Sequence, residues 1–287
     1  MRADHRAAQS LDRPENDAER RPAGIQCIRI TDHGNKTGTR TIRRAGRIHA
    51  RLPRRNDVAR DPRYDAGAVV IAERQSRGRG QRGNSWSSSA GANLTFSVVL
   101  CPGFLEAAQQ FYLSKAVSLA VCDTVESFGV RPQVKWPNDI YIDGRKVAGI
   151  LIENDLAGNF LSRSVVGIGI NVNQTEFDPA LPNPTSLAVA AGRKLDRAEV
   201  FRLFYEKMSF RYGQLQQQRY AAMDTDYAAR LYRLGETHSF VDGRTKVRFE
   251  GTICGVLPTG ELEVRHRDGQ MHRYLFKEIE YTITGIG

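Results

Sequence analysis

The chain has 287 residues, 40% of them hydrophobic and 26% charged, with a formal net charge of +10, enough for one medium catalytic domain and a small appendage. No apolar run reaches the roughly 18–20 residues of a membrane span, and residues 1–10 are too polar for a secretory signal, so both classes are excluded. Cys27, Cys101, Cys122 and Cys254 stand apart with no CxxC pair and no neighbouring His, which argues against a metal-ligand set or a disulfide framework and fits a reducing cytoplasm.

Residues 1–63 hold sixteen Lys and Arg against eight Asp and Glu, so most of the positive charge sits there and the remainder is near neutral. This stretch has no Phe, Tyr or Trp, and its isolated Ile and Leu residues follow no period. Such text buries too little apolar surface to offset its ordering entropy, so a mostly disordered basic leader is expected over 1–63. A catalytic domain is expected over 64–233 and a small β domain over 234–287.

Residues 68–72 (AVVIA) read as a buried strand and 93–100 (NLTFSVVL) as a second, with a Gly/Arg/Ser loop between them. Residues 107–128 carry apolar residues at helical spacing and end at Gly129. Ile140-Tyr141-Ile142, then Asp143-Gly144, then 145–153 is a hairpin signal, because a type I′ turn needs two positive φ values. Another strand is expected at 164–172, and a helix over 196–219 with Asp196 as N-cap and Glu199 completing a capping box. From about Leu234, short β runs (246–249, 251–256, 262–265, 272–276) alternate with Asp-Gly and Thr-Gly turns, which suggests a small SH3-like barrel. The fold class is α+β, mainly antiparallel.

Two stretches carry chemistry. In Gln75-Ser76-Arg77-Gly78-Arg79-Gly80-Gln81-Arg82-Gly83-Asn84-Ser85-Trp86, glycines let the backbone approach a ligand, and N–H groups with guanidiniums suit a phosphate or carboxylate. A plain surface loop is the competing reading. In Lys135-Trp136-Pro137-Asn138-Asp139 and the hairpin to Lys146 and Gly149, a two-residue turn sets Tyr141 opposite Lys146 and Asp139 diagonally near it, about 7–8 Å away. That pair either flanks one reacting group or is an exposed ion pair worth under about 1 kcal/mol.

QSRGRGQRGNSW, KWPNDIYIDGRKVAGILIEN and GIGINVNQ, in that order from about Ala66 onward, resemble the biotin protein ligases (biotin–[acetyl-CoA-carboxylase] ligases). The resemblance implies a catalytic domain related to class II aminoacyl-tRNA synthetases and lipoate ligases, followed by the SH3-like domain. It also implies a two-step reaction: biotin and Mg²⁺-ATP give biotinyl-5′-AMP, and a lysine of a biotin carboxyl carrier domain then takes the biotinyl group. By the same resemblance Gln75, Arg79, Gly80, Gln81, Lys146 and Gly149 bind biotin, and Arg79, Arg82, Lys135, Asn138 and Asn171 bind the nucleotide. Lys146, Asp139 and Lys135 form the catalytic set, with Asp139 orienting or deprotonating the acceptor amine. Trp86 and Trp136 either wall the pocket or fill the core.

The chain departs from the family pattern in three respects. Gln81 stands where many members have arginine. The first strand and helix of the catalytic domain, with an Asp-Ser-Thr-Asn-like element of the biotin pocket, are missing from the text before Gln75, so weak biotin binding is expected. No helix-turn-helix segment is recognisable, which resembles the non-regulatory group, and a homodimer stays open. A shifted reading frame up to about Arg63 is the expected origin of the arginine-rich leader: if Ile42-Arg43-Arg44-Ala45 is encoded as ATT CGA CGA GCN after a G, the shifted frame reads Asp-Ser-Thr-Ser. The alternatives are a lipoate or octanoate ligase on the same fold, or a nucleic-acid binder acting through the leader. The few aromatics there make nucleic acid a poor partner.

Overall fold

A computed structural model describes residues 26–29, 51–52, 55–62, 64–72, 74–75, 78–79, 85–86, 88–89 and 91–282. In chain order these form β1 (Gln26–Arg29), β2 (Arg51–Leu52), α1 (Arg55–Ala59), β3 (Ala68–Ile71), β4 (Arg74–Gln75), β5 (Gly78–Arg79), β6 (Ser85–Trp86) and β7 (Leu94–Leu100). After a 3-10 turn come α2 (Phe111–Glu126), β8 (Pro132–Lys135), β9 (Asp139–Ile142), β10 (Arg145–Ala157) and β11 (Phe160–Ile170). Then follow α3 (Leu187–Ala191), α4 (Arg197–Gln216), α5 (Tyr220–Ala228), β12 (Thr237–Asp242), β13 (Arg248–Val256), β14 (Leu262–His266), β15 (Met271–Tyr274) and β16 (Ile279–Tyr281).

Seven strands make one antiparallel sheet in the order β1-β3-β7-β11-β10-β9-β8. Alternate side chains point to opposite faces of a strand. Phe96 and Val98 of β7, Val166, Ile168 and Ile170 of β11, and Ala148 and Ile150 of β10 therefore face the main core with α2 and α4. Phe96 meets Phe201 and Phe204 of α4 edge-on, at 5.2 and 4.9 Å between centroids. The opposite face carries Ala68, Val70, Val99 and Val165, covered by Ala59 and Tyr64. Toward β10 that face becomes nearly bare: Gly167 and Gly169 of β11, with Gly149 paired to Gly169.

The hairpin arises from its turn, with Asp143 and Gly144 at φ 48° and 72°, and Asp196 caps α4 by accepting the Ala198 N–H at 2.9 Å. Helix α5 was not expected. It is short, and buries Met223 and Tyr227 against α2. A network binds these helices: Asp123 of α2 takes Arg211 of α4 at 2.7 Å and Arg230 at 3.2 Å, and Arg211 also holds Asp226 of α5.

Two expectations are corrected. The C-terminal strands form a five-stranded antiparallel sheet, β15-β14-β13-β12-β16, in which β15 and β16 are opposite edges. The sheet is not closed into a barrel, because the short β16 pairs with β12 and does not reach β15. A strand and a helix, expected to be missing, also precede β3. β1 pairs with β3, and Asn56 and Ala59 of α1 are buried on the sheet. Asn56 donates to Glu153 at 2.6 Å and accepts from Ser97 at 2.7 Å, while Arg163 donates to the carbonyls of Ala59, Asp61 and Tyr64. Residues 1–25 and 30–50, including the 42–45 stretch of the frame argument, lie outside the described residues.

Candidate active site

A cavity of about 650 Å³ opens where the bare glycine face of the main sheet meets two turns of the C-terminal sheet. Its walls hold Lys135, Asp139, Lys146, Gly149 and Gly169 from the first, Lys246, Lys277, Glu280 and Tyr281 from the second, and Trp86 from the small β5–β6 pair.

The KWPND segment builds one wall. Its Trp136–Pro137 peptide is cis, and the chain reverses so that Lys135 of β8 pairs directly with Asp139 of β9. Asn138 fastens the turn to β10, its side-chain amide donating to Ile150 O and its carbonyl accepting from Ile150 N. Trp136 is buried and donates its indole N–H to Gly260 O at 2.9 Å, joining the turn to the C-terminal sheet.

A β-bulge builds the other wall. Lys146 pairs with Tyr141 as the hairpin signal predicts, yet Ala148 pairs with Ile140 and Gly149 with Asp139, so Val147 is an extra residue. A bulge reverses the alternation beyond it. Lys146 and Gly149 thereby face the cavity together, while Val147, Ala148 and Ile150 stay buried in the core. Residues 183–185 hold the bulge: Lys146 N donates to Asn183 O at 2.8 Å, and Thr185 N to Lys146 O at 2.9 Å. The result is a direct ion pair, Lys146 Nζ to Asp139 Oδ1 at 2.6 Å, instead of the diagonal separation expected.

The glycines are needed for space. A Cβ on Gly169 would lie 2.4 Å from Trp86 Cε2, and one on Gly149 would meet Trp86 at 3.2 Å and the end of Lys146 at 3.3 Å. The Trp86 ring rests on this floor with Lys146 Nζ 5.9 Å from its centroid. Lys135 lies over Tyr281 at 4.6 Å and Tyr141 at 5.5 Å. Burial pushes the Lys135 pKa down; Asp139 opposes this, and Lys146 and Arg233 add to it. Trp86 Nε1 and Tyr281 Oη are buried without a hydrogen-bond partner, an arrangement that leaves polar atoms for a ligand to satisfy.

Lys135, Asn138, Asp139, Lys146 and Gly149 thus converge, with both tryptophans beside them. Asn171 does not join them: it is buried behind the wall, donating its side-chain amide to Thr185 O at 2.9 Å. For Gln75 and Arg79 only the backbone is described, in β4 and β5, and Gly80, Gln81 and Arg82 lie outside the described residues. β5 pairs with β6, Gly78 opposite Trp86, which sets the base of the Gly/Arg loop at the cavity rim. The cavity residues 243–281 were not anticipated; their only sequence signal is the Asp242-Gly243 turn.

Residues 51–171 match the model of the Biotin/lipoate A/B protein ligase family. The chain is 34% identical over 219 residues to the biotin–[acetyl-CoA-carboxylase] ligase of Paracoccus denitrificans, an alignment covering 73% of this chain and 88% of that one. The chain belongs to the biotin protein ligase family. It is also 39% identical over 148 residues to the bifunctional ligase/repressor BirA of Bacillus subtilis, 49% of this chain but only 45% of the relative, so it spans less than half of that protein's length. Among solved structures, the Aquifex aeolicus biotin protein ligase in complex with biotin and ATP superposes with a TM-score of 0.68 at 25% identity, covering 82% of this chain and 98% of the other. The family match begins at residue 51 and so takes in α1, in agreement with the packing of Asn56 and Ala59.

Proposed function

We propose that this ligase-family chain activates biotin as biotinyl-5′-AMP at the expense of ATP and passes the biotinyl group to a lysine of a biotin carboxyl carrier domain. The observation that carries this is the Lys146–Asp139 pair, set at 2.6 Å over a floor of glycines in a cavity with further lysines. Adenylation brings a carboxylate against a polyphosphate, so the site must offer positive charge fixed in advance. Asp139 occupies one N–H of Lys146 and orients the ammonium; the others remain for the biotin carboxylate and the α-phosphate. A carboxylate oxygen bonds to the α-phosphorus, the α–β bridging P–O bond breaks, and pyrophosphate leaves with that electron pair.

In the second step a neutral amine attacks the acyl carbon and AMP departs with the C–O electron pair. Asp139, at the cavity wall, accepts or relays the amine proton. Lys135, held between two tyrosines, serves the phosphates, and Trp86 with the backbone of Gly149 and Gly169 forms the biotin floor. Among the described residues no three His, Cys, Asp or Glu side chains cluster as a metal site. Asp139 and Glu280 are both paired with lysines. Magnesium therefore belongs to the nucleotide in this reading, where it neutralises phosphate charge. Among the described residues no helix is long and apolar enough to cross a membrane.

The test is transfer of labelled biotin to a carrier domain, with and without ATP, and with lipoate or octanoate in competition. Transfer that requires ATP and prefers biotin supports the reading; preference for lipoate favours the sister activity.

A further inference from the structure

Trp86 covers the glycine floor, yet its own ring gives it no polar anchor, because Nε1 is buried without a hydrogen-bond partner. Its placing therefore falls to the backbone on either side. Upstream stands the short pairing of β5 with β6, Gly78 opposite Trp86 and Arg79 opposite Ser85. Downstream, the chain is pinned by side chains from elsewhere. Ser89 N donates to Gln174 Oε1 at 3.2 Å, and Asn93 Nδ2 donates to the same oxygen at 2.6 Å and to Ser88 Oγ at 3.2 Å. The ring rests directly on backbone, since a Cβ on Gly169 would lie 2.4 Å from Trp86 Cε2. Any outward shift of the ring forfeits that contact.

Asn93 suits this task because its amide can face only one way. It is buried just before β7, and its Oδ1 accepts the Val172 N–H at 2.9 Å. The Nδ2 hydrogens are left to point at Gln174 and Ser88. The backbone around it is held as well: Asn93 O accepts from Arg197 at 3.2 Å, and Asn173 N donates to Ala92 O at 3.0 Å. Asn173 in turn exchanges two bonds with the Leu195 backbone, at 2.8 and 2.9 Å. The hub thus ties the segment after Trp86 to the segment after β11, the strand that supplies Gly167 and Gly169. A satisfied polar network of this kind rigidifies the segments it joins and specifies one arrangement.

We infer that Gln174, oriented by Asn93, is a positioning residue that sets the Trp86 ring on the glycine floor and through it the affinity for biotin, not for ATP. This rests on the ligase reading, in which that floor receives biotin. Neither Asn93 nor Gln174 lines the cavity, so both act through Trp86, and no bond to them forms or breaks in the reaction.

The test separates the two ends of the Gln174 amide in the full chain. Both bonds that hold the 88–93 segment end on Oε1, whereas Nε2 donates to Glu176 O at 2.8 Å. Gln174→Glu keeps the acceptor and loses the donor; Gln174→Met keeps the unbranched stem and loses both. Calorimetry with biotin gives affinity without turnover, and biotin-dependent pyrophosphate–ATP exchange gives KM for each substrate. Acrylamide quenching of tryptophan emission reports the seating of Trp86, since the other tryptophan, Trp136, is buried. Gln174→Met should weaken biotin about 3- to 10-fold, the range for one or two neutral hydrogen bonds, with KM for ATP unchanged and quenching increased. Gln174→Glu should bind biotin as the unaltered chain does, and Gln174→Met should cost no further biotin affinity in a Trp86→Ala background. Unchanged biotin affinity in Gln174→Met, equal losses for biotin and ATP, or equal losses in the Glu and Met variants overturn the assignment. Quenching that rises in Gln174→Met, in a chain that binds neither biotin nor ATP, upholds the placing of Trp86 and overturns the ligase reading instead.

Discussion

Replacing Lys146 by alanine removes the cation placed over the glycine floor, and its effect can be worked from the ion pair. Asp139 then keeps its charge without its partner at 2.6 Å, on a wall where its side chain is only 19% exposed. Two like charges about 4 Å apart repel by roughly 4 kcal/mol at an effective dielectric near 20, and the carboxylate and α-phosphate must approach that close. Loss of one preorganised charge alone removes about 10²–10³ in rate. Lys146→Ala should therefore lower biotin-dependent pyrophosphate–ATP exchange at least ~100-fold, by the magnitude expected for such a group. Because part of that loss is repulsion from Asp139, Lys146→Ala with Asp139→Asn should be no slower than Lys146→Ala, and faster than the product of the two single effects. Near-normal exchange in Lys146→Ala would refute the role of the pair; strictly multiplicative losses would refute the coupling.

Gly169→Ala puts a methyl group 2.4 Å from Trp86 Cε2, so thermal denaturation should show an overpacking loss of about 1–3 kcal/mol that shrinks when Trp86→Ala is also made. Lys135 has a lowered pKa, so its charge is present below that pKa and lost as pH rises through it. The alkaline fall of kcat/KM for ATP should lie below the ordinary lysine range and move to higher pH in Lys135→Arg; no movement would count against Lys135 as a phosphate ligand. Deleting residues 1–50 removes the edge strand β1 and should lower the melting temperature a little. Removing residues through 63 also deletes Asn56 and Ala59 and leaves Ser97 and Glu153 without their partner, so it should lower it clearly; equal melting of the two truncations would contradict the packing of α1.

What the sequence made legible is what local chemistry decides. The Asp143-Gly144 turn needs only its own two residues, and the long helices need only their period and, for α4, the Asp196 cap. Lys135, Asn138, Asp139, Lys146 and Gly149 lie within one short stretch, so a hairpin suffices to gather them. The unread parts depend on distant chain. Asn56 counts only because it meets Ser97 and Glu153. The amide of Asn171, which the motif offers as a ligand, meets Thr185 O, a contact no periodicity announces. Lys246 and Lys277 reach the cavity only through the docking of the C-terminal sheet, on which Trp136 and Gly260 meet across 124 positions of sequence.

The bulge at Val147 shows how much chemistry rests on one unpaired residue. In a regular hairpin, Lys146 would share its face with Ala148 and Ile150, which pack into the main core, and a lysine there would need a buried partner or lose its charge. The extra residue leaves Lys146 on the face it shares with Asp139 and brings Gly149 to that face, and the bonds to Asn183 O and from Thr185 N fix it there. Gly149 matters for the same reason: the stem of Lys146 passes within 3.3 Å of where its Cβ would be. The spacing from Lys146 to Gly149 is therefore as much a part of the site as either residue. Three positions on from the lysine, across the bulge, the strand returns to the cavity face with no side chain to obstruct the ammonium.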